Sequence, residues 1–147
     1  MDENVEKDQP EVQGACLCGS VRYAVSPPFK LFQYCHCSRC QKATGTAHAA
    51  NAFLPIDQFR WIAGEDNLSH FSLPEAKYFG TSFCKTCGSN MPIIIEASAM
   101  ALVPAGSLEG LSHTEPQQSI FWGSKADWYL SPDYIPAFEK LPTRSAK

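Results

Sequence analysis

The sequence predicts a mainly β fold with one short helix, on three observations. Eleven prolines and nine glycines divide the 147 residues into short pieces. Most of these pieces are strand-sized and rich in β-branched and aromatic residues. Only one of them has both a helix start and a helix stop signal. Short strands that recur at this spacing favour an antiparallel β architecture with little helix.

The predicted strands follow one another along the chain, and each is bounded by glycine, proline or asparagine. The first covers residues 20–25 and alternates as a half-buried strand does. The second covers residues 31–34 and leads directly into a group of cysteines. The later strands are predicted at residues 47–54, 59–62, 68–72, 77–83, 91–96, 101–104 and 119–122.

The predicted helix covers residues 38–44 and lies within and just after the middle group of cysteines. Ser38 can cap its start, because a serine hydroxyl accepts a hydrogen bond from the first free backbone amides. Gly45 can end it in the left-handed conformation that glycine adopts at little cost.

The length predicts one domain, since domains commonly contain about 100–150 residues. We place that domain at residues 12–141. Residues 1–11 are acidic and polar and are predicted to be a disordered lead-in, and residues 142–147 a short polar tail.

The charge of the chain argues against a nucleic-acid partner. Lysine and arginine number 12 and aspartate and glutamate 15, so the net charge is −3 and no basic footprint is present. No apolar run resembles a signal peptide or the roughly 20 residues of a membrane span. We therefore expect a cytoplasmic protein without a membrane partner, in which cysteines stay reduced and serve metals or chemistry. The sequence contains no indicator of oligomeric state.

Two pairs of cysteines, distant in sequence, have the spacing of zinc knuckles. Cys16 and Cys18 form the first pair, and Cys84 and Cys87 the second. Each pair puts two thiolates on one tight turn, and a glycine follows each pair. Four such thiolates complete a tetrahedral zinc site, which would staple two distant parts of the β domain together.

The remaining three cysteines are Cys35, Cys37 and Cys40, within six residues. If the two pairs share one metal, these three are left to share another. Zinc with three protein ligands keeps a fourth position for water or substrate, as catalytic sites do. Three thiolates leave such a site with a charge of −1, which favours a substrate thiol over hydroxide as the fourth ligand. Coordination would ionise that thiol at neutral pH.

Two other interpretations of the cysteines remain open at this point. The cysteines could form disulfides, although seven is an odd number and the two cysteines of a Cys-x-Cys segment pair poorly with each other. Alternatively both metal sites are structural, with His36 or His48 as the fourth ligand of the middle group.

Three segments carry a resemblance to a known family. They are Gly-Ala-Cys-Leu-Cys-Gly-Ser-Val-Arg-Tyr at 14–23, Cys-His-Cys-Ser-Arg-Cys-Gln-Lys at 35–42 and Phe-Cys-Lys-Thr-Cys-Gly-Ser at 83–89. Thr44-Gly45 and a late Trp128 after Lys125 add to them. Together they resemble the glutathione-dependent formaldehyde-activating enzyme family, from about residue 14 to residue 142.

The resemblance implies a fold, two metals and a reaction. The fold would be a β-tent of two antiparallel sheets around zinc knuckles. Carried over by position, the structural zinc falls on Cys16, Cys18, Cys84 and Cys87, and the catalytic zinc on Cys35, Cys37 and Cys40. It implies two zinc ions per chain, with no catalytic residue beyond the open-site ligands and no other cofactor-binding residue. The reaction joins glutathione to formaldehyde as S-hydroxymethylglutathione, a carbon–sulfur lyase reaction in reverse.

Two functions from different classes follow. The first is a zinc-dependent carbon–sulfur lyase-like enzyme whose partners are a small thiol, such as glutathione, and a small aldehyde. The alternative is a non-catalytic zinc module that recognises a protein or peptide. Arg39 and Lys42 could receive the carboxylates of a thiol substrate or be solvated surface charges. His48 could face the open metal or be a partly buried strand residue.

Overall fold

The computed structural model describes residues 9–111 and 114–142. Most of the predicted lead-in, and all of the predicted tail except Pro142, therefore lie outside the described residues. The described chain is mainly β with one α-helix, which confirms the predicted class. Its strands are β1 Val12–Ala15, β2 Arg22–Val25, β3 Leu31–Cys35, β4 Ala49–Pro55, β5 Phe59–Ala63, β6 Leu68–Ser72, β7 Gly80–Cys84, β8 Asn90–Met91, β9 Ile93–Ile95, β10 Met100–Pro104 and β11 Gln118–Ile120.

The strands form three hydrogen-bonded sheets rather than the two predicted. The N-terminal sheet has the order β1-β2-β5, the central sheet β11-β3-β4-β10-β9 and the knuckle sheet β6-β7-β8. Every pair is antiparallel except β11 with β3, which run parallel. The parallel pair arises because the chain returns after residue 111 to the free edge of β3 by a long connection, which a hairpin turn could not provide.

The N-terminal sheet begins with β1, a strand that the sequence analysis did not predict. Gly14, in its middle, lies directly under the ring of Tyr23 on β2, and an added Cβ would be 2.2 Å from Tyr23 Cζ. The glycine thus permits a close approach that the local pattern does not reveal. Tyr23 is fully buried and stacks on Phe59 of β5, with 5.4 Å between ring centroids.

Apolar side chains of three neighbouring strands share one face of the central sheet. Directly opposed partners share a face of a sheet, and Leu102 on β10 lies opposite both Phe53 on β4 and Ile93 on β9. At the other edge, Ile120 of β11 lies opposite Cys35, and the His36 amide donates to the Ile120 carbonyl at 3.0 Å. The strand that carries Cys35 is therefore an interior strand of this sheet.

The predicted strand at residues 91–96 is two strands in two sheets. Residues up to Met91 pair with β7 in the knuckle sheet, while Ile93 onward pairs with β10 in the central sheet. Pro92 divides them, because proline has no backbone N–H to donate to a neighbouring strand. The chain passes from one sheet to the other at this residue. The strand predicted at 77–83 begins only at Gly80, since the preceding residues form a turn closed by Leu73 and Phe79.

The helix, α1, spans Ser38–Thr44 as predicted, but Cys37 and not Ser38 caps it. The Cys37 sulfur accepts a hydrogen bond from the Cys40 amide at 3.3 Å. Gly45 ends the helix with φ of 67°, in the predicted left-handed conformation. No helix in the described parts of the chain is long and apolar enough to cross a membrane.

Candidate metal centres

The four knuckle cysteines form one cluster, which we call the four-thiol cluster. Cys16 and Cys18 lie on the turn between β1 and β2, whereas Cys84 ends β7 and Cys87 lies on the turn between β7 and β8. The four sulfur atoms all lie within 4.8 Å of one another. The sulfur of Cys18 is 3.6 Å from that of Cys16 and 3.8 Å from that of Cys84. The cluster therefore joins the N-terminal sheet to the knuckle sheet.

Hydroxyl, amide and backbone groups surround these sulfurs. The Ser20 hydroxyl lies 3.0 Å from the Cys18 sulfur and 3.3 Å from the Cys84 sulfur. The Asn67 side-chain amide donates to Ser20 at 3.1 Å and approaches the Cys84 sulfur at 3.5 Å. The Ser89 hydroxyl is 3.2 Å from the Cys87 sulfur. Such groups orient thiolates and offset their negative charge.

The sequence analysis missed these surrounding groups, although a signal for two of them was present. Ser20 and Ser89 each end a Cys-Gly-Ser tripeptide, at residues 18–20 and 87–89. The glycines, Gly19 and Gly88, have φ of 81° and 77°, a conformation that disfavours other residues. The repeated tripeptide thus encodes one turn with a serine returning to the sulfur. Asn67 left no comparable signal, because it lies far from both pairs in sequence.

Hydrogen bonds make two of the four thiols acidic. The Ser89 hydroxyl is the main cause that lowers the pKa of Cys87 to about 5, and the Ser20 hydroxyl lowers the pKa of Cys84 to about 7. Ser20 also acts on Cys18, but burial and the bonds with the Cys16 and Cys84 thiols outweigh it and raise that pKa. The thiols of the second knuckle are thus the readiest to ionise.

The middle cysteines form a second cluster, the three-thiol cluster. Cys35 ends β3, Cys37 caps α1, and Cys40 lies in the first turn of the helix. The three sulfur atoms also lie within 4.8 Å of one another. Cys35 and Cys40 are buried and Cys37 is half-exposed. Phe79 and Ile120 pack against the cluster and give it an apolar surround.

Burial acts on all three thiols of this cluster. It raises the pKa of Cys35, and it raises that of Cys40 well above the usual thiol range. It acts on Cys37 as well, but hydrogen bonds from the backbone and thiol of Cys40 outweigh it and lower the pKa of Cys37. Without a metal, Cys37 is therefore the member that ionises first.

Neither of the two histidines considered as a fourth ligand joins the three thiols. Among the described residues, no histidine or carboxylate lies within the 4.8 Å grouping of these sulfurs. His48 instead stacks on Tyr34, with 4.1 Å between ring centroids, and its Nδ1 lies 3.2 Å from the Ala49 carbonyl. His36 is fully buried among aromatic rings, with Trp122 and Tyr129 each at 5.1 Å. The cluster thus offers three protein ligands.

A cavity with a basic rim lies beside α1, and we call it the basic cavity. Its volume is about 560 Å³, and it lies between the helix and the knuckle sheet. Arg39 and Lys42 of the helix line it together with one carboxylate, Glu75, so its charged groups sum to +1. Phe71 and Phe83 supply apolar wall. Arg39 and Lys42 therefore face a space that a small anion can enter.

A second cavity, the apolar cavity, lies between the central sheet and β7. Its volume is about 220 Å³, and Cys40 of the three-thiol cluster lines it. Ile93, Ile95 and Leu102 form its floor on the apolar face of the central sheet. The three-thiol cluster therefore opens onto the apolar cavity through Cys40. Glu96 is exposed, begins a turn after β9 and lines neither cavity.

Comparisons with known proteins give a family match and a similar solved structure. The sequence model of a family described as glutathione-dependent formaldehyde-activating enzyme matches residues 11–124. No curated protein sequence matches the chain. The crystal structure of a Rhodobacter sphaeroides protein is similar in fold, with a TM-score of 0.54 and 26% sequence identity. That likeness covers 73% of this chain and 98% of the other.

Proposed function

Because the chain belongs to the glutathione-dependent formaldehyde-activating enzyme family, we propose that it is a zinc-dependent carbon–sulfur lyase. It would add the thiol of glutathione, or of a similar small thiol, to formaldehyde or another small aldehyde, and catalyse the reverse. The observation that carries this proposal is the three-thiol cluster, which has three protein ligands and lines the apolar cavity through Cys40.

The sulfur geometry fits zinc. A Zn–S bond of about 2.3 Å gives sulfur atoms about 3.8 Å apart in a regular tetrahedron. The distances of 3.6 Å and 3.8 Å in the four-thiol cluster agree with that edge. All-thiolate ligand sets also favour zinc over harder divalent cations. We assign a structural zinc to Cys16, Cys18, Cys84 and Cys87, and a catalytic zinc to Cys35, Cys37 and Cys40, two per chain.

The three-thiol cluster suits a thiol as its fourth ligand. A bound zinc would supply the positive charge that keeps a substrate thiol ionised at neutral pH. The three protein thiolates leave the centre at −1, so they disfavour hydroxide there. Phe79 and Ile120 limit water on the buried side of the cluster, which strengthens electrostatic interactions within it. Half-exposed Cys37 marks the side from which substrate enters.

The basic cavity suits the charged ends of glutathione. Glutathione has two carboxylates, and the cavity places Arg39 and Lys42 in its wall beside the three-thiol cluster. Arginine and lysine bind carboxylates through charge-assisted hydrogen bonds. We assign these two residues to positioning the thiol substrate. All seven cysteines are free thiols, which is consistent with placing the protein in the reducing cytoplasm.

The alternative function, a non-catalytic zinc module that recognises a protein or peptide, has one observation in its favour. Beyond residue 120 the chain exposes many large apolar side chains, which is typical of interaction surfaces. They are Phe121, Trp122, Trp128, Leu130, Tyr134, Ile135, Phe138 and Leu141. This function does not require an open metal site.

Cobalt substitution distinguishes the two functions. In the cobalt-loaded chain, glutathione at millimolar concentration is expected to intensify the sulfur-to-metal charge-transfer absorption, because a fourth thiolate binds. The analogue with serine in place of the glutathione cysteine is the matched control and should leave the spectrum unchanged. Binding should weaken at low pH, as protons compete for the thiolate. An unchanged spectrum with every small thiol would mean that the site is closed and would favour the recognition module.

The order of metal release with pH is a second expected result. Metal binding requires thiolates, so a thiol with a raised pKa takes back its proton at a higher pH. Two of the three thiols of the three-thiol cluster, Cys35 and Cys40, have raised pKa values and only Cys37 has a lowered one. The four-thiol cluster has a raised pKa at Cys18, but the pKa values of Cys84 and Cys87 are lowered to about 7 and 5. As the pH falls, the first zinc should therefore leave the three-thiol cluster.

Stepwise acidification of the two-zinc protein, removal of the released zinc, alkylation after return to neutral pH, and mass spectrometry measure that order, because only the thiolate is alkylated. The three middle cysteines should become alkylated after exposure to a pH at which Cys84 and Cys87 are still protected. Alkylation of Cys84 or Cys87 first, or loss of both zinc ions in one step, would contradict the assignment.

A further inference from the structure

The apolar cavity is larger and less polar than the reaction with formaldehyde requires. Formaldehyde has two heavy atoms, whereas a cavity of about 220 Å³ has room for roughly seven molecules the size of water. Glutathione does not explain the cavity either, because its charged ends find their partners in the basic cavity. A separate part of the substrate is needed to fill this space.

The walls of the apolar cavity contain no formal charge. Apart from Cys40 and Tyr78, its lining includes no titratable side chain. Ile93, Ile95 and Leu102 form the floor, on the face of the central sheet where these side chains lie side by side. An ionised group placed here would lose hydration without gaining a partner of opposite charge, whereas an alkyl group would be stabilised by burial.

The apolar and basic cavities adjoin each other near the three-thiol cluster. Both are lined by Ala43, Phe79, Thr81 and Asn90, so they are adjoining parts of one cleft. Phe79 also packs directly against the three-thiol cluster. The Asn90 amide contacts the Ala43 carbonyl at 3.5 Å and ties the knuckle sheet to α1 between the two spaces.

We propose that the physiological aldehyde carries an apolar substituent of roughly four to seven carbons, which the apolar cavity binds. The inference rests on the proposed function and names its substrate class. With the carboxylates of the thiol beside Arg39 and Lys42 and its sulfur at the three-thiol cluster, the group joined to that sulfur is directed past Cys40 into the apolar cavity.

The reaction itself is unchanged by the longer aldehyde. The thiolate sulfur bonds to the carbonyl carbon, the carbon–oxygen π bond breaks onto oxygen, and the proton released by the thiol ends on that oxygen. The product is a thiohemiacetal with a hydroxyl group, and no oxidant or reductant is consumed. Thr44, Thr81 and Asn90 line the cavity and can hydrogen-bond to that hydroxyl.

Stable thioether analogues of the adduct test the cavity by binding alone. Calorimetric titration of the zinc-loaded full chain compares S-methylglutathione with S-hexylglutathione. Each buried methylene is expected to strengthen binding about fourfold. Even partial burial should therefore make the hexyl compound bind at least about tenfold more tightly. The catalysed addition of glutathione to formaldehyde and to hexanal, followed by exchange NMR, should show the same preference.

A pair of matched variants shows whether this cavity is responsible. Ile93→Phe fills the floor of the apolar cavity and should bring the ratio of hexyl to methyl affinity close to one. Ile62→Phe makes the same change on β5, where the side chain is 39% exposed and lines neither cavity, and should keep the wild-type ratio. Thermal unfolding of both variants verifies that they fold.

The outcomes separate this inference from the proposed function. Catalysis with formaldehyde but no gain with hexanal or S-hexylglutathione would overturn the inference and leave the proposed function standing. A gain that survives Ile93→Phe would also overturn it, since the substituent would then bind elsewhere. If no aldehyde is turned over and neither thioether binds, the proposed function fails and the inference fails with it.

Discussion

Replacing Cys84 with serine is expected to unfold the whole domain rather than merely to remove one metal. The four-thiol cluster holds the turn of the N-terminal sheet against the turn of the knuckle sheet, and Cys84 is fully buried within it. A structural zinc contributes on the order of 10 kcal/mol to folding in small zinc peptides. The whole stability of a domain is about 5–15 kcal/mol, so losing this zinc removes most of it.

Circular dichroism during heating, together with zinc analysis, measures the effect. Cys84→Ser and Cys87→Ser should lack a cooperative transition at the temperature at which the wild-type protein is folded. Cys37→Ser provides the comparison, because it also removes one thiolate from a metal cluster. Equal destabilisation by the substitutions in the two clusters would show that both zinc ions are structural, and the proposed enzyme would lose its main support.

Cys37→Ser, in turn, is expected to abolish catalysis and thiol binding in a protein that still folds. Cys37 caps α1, and in the proposed enzyme it is also a metal ligand in the three-thiol cluster. Serine removes the metal ligand and keeps the cap, since its hydroxyl can accept the Cys40 amide hydrogen bond. Changes to residues that only surround metal ligands already cost about 10–100-fold. Losing a ligand should therefore lower the rate by more than about 100-fold.

Cys37→Ala separates the two roles. Alanine removes the cap as well, which typically costs about 1 kcal/mol, so it should melt a few degrees below Cys37→Ser and be equally inactive. The rate of thiol–aldehyde exchange, zinc content and melting temperature are measured on all three proteins. A Cys37→Ser protein that keeps one zinc in the three-thiol cluster and full activity would show that this cysteine is not a catalytic ligand.

The parts of the molecule that sequence reasoning predicted well depend on nearby residues. The bounds of α1 follow from Gly45 and the residues just before it, and the grouping of the cysteines follows from their spacing. The assignment of the cap to Ser38 was wrong, because a thiol is rarely considered as a cap although its sulfur accepts hydrogen bonds. The division of the predicted 91–96 strand into two strands could have been predicted, since Pro92 cannot donate a backbone hydrogen bond to a neighbouring strand.

What could not be predicted depends on contacts between distant residues. The parallel pairing of β11 with β3 joins residues more than 80 positions apart, and no local pattern marks it. The missed strand β1 contains Gly14, where the Tyr23 ring on the neighbouring strand leaves no room for a side chain. The two cavities arise where α1, the central sheet and the knuckle sheet meet. Their lining residues come from separate parts of the chain and have no common motif.

The parallel strand β11 also has a consequence for synthesis of the protein on the ribosome. All four thiols of the four-thiol cluster have been made once Cys87 is added, whereas the strand beside Cys35 waits for Ile120. At about 5–20 residues per second, the 33 further residues take roughly 2–7 s. During that interval the four-thiol cluster can close while one edge of β3 is still unpaired. The order of synthesis thus allows the proposed structural metal site to form before the sheet that carries Cys35 is complete.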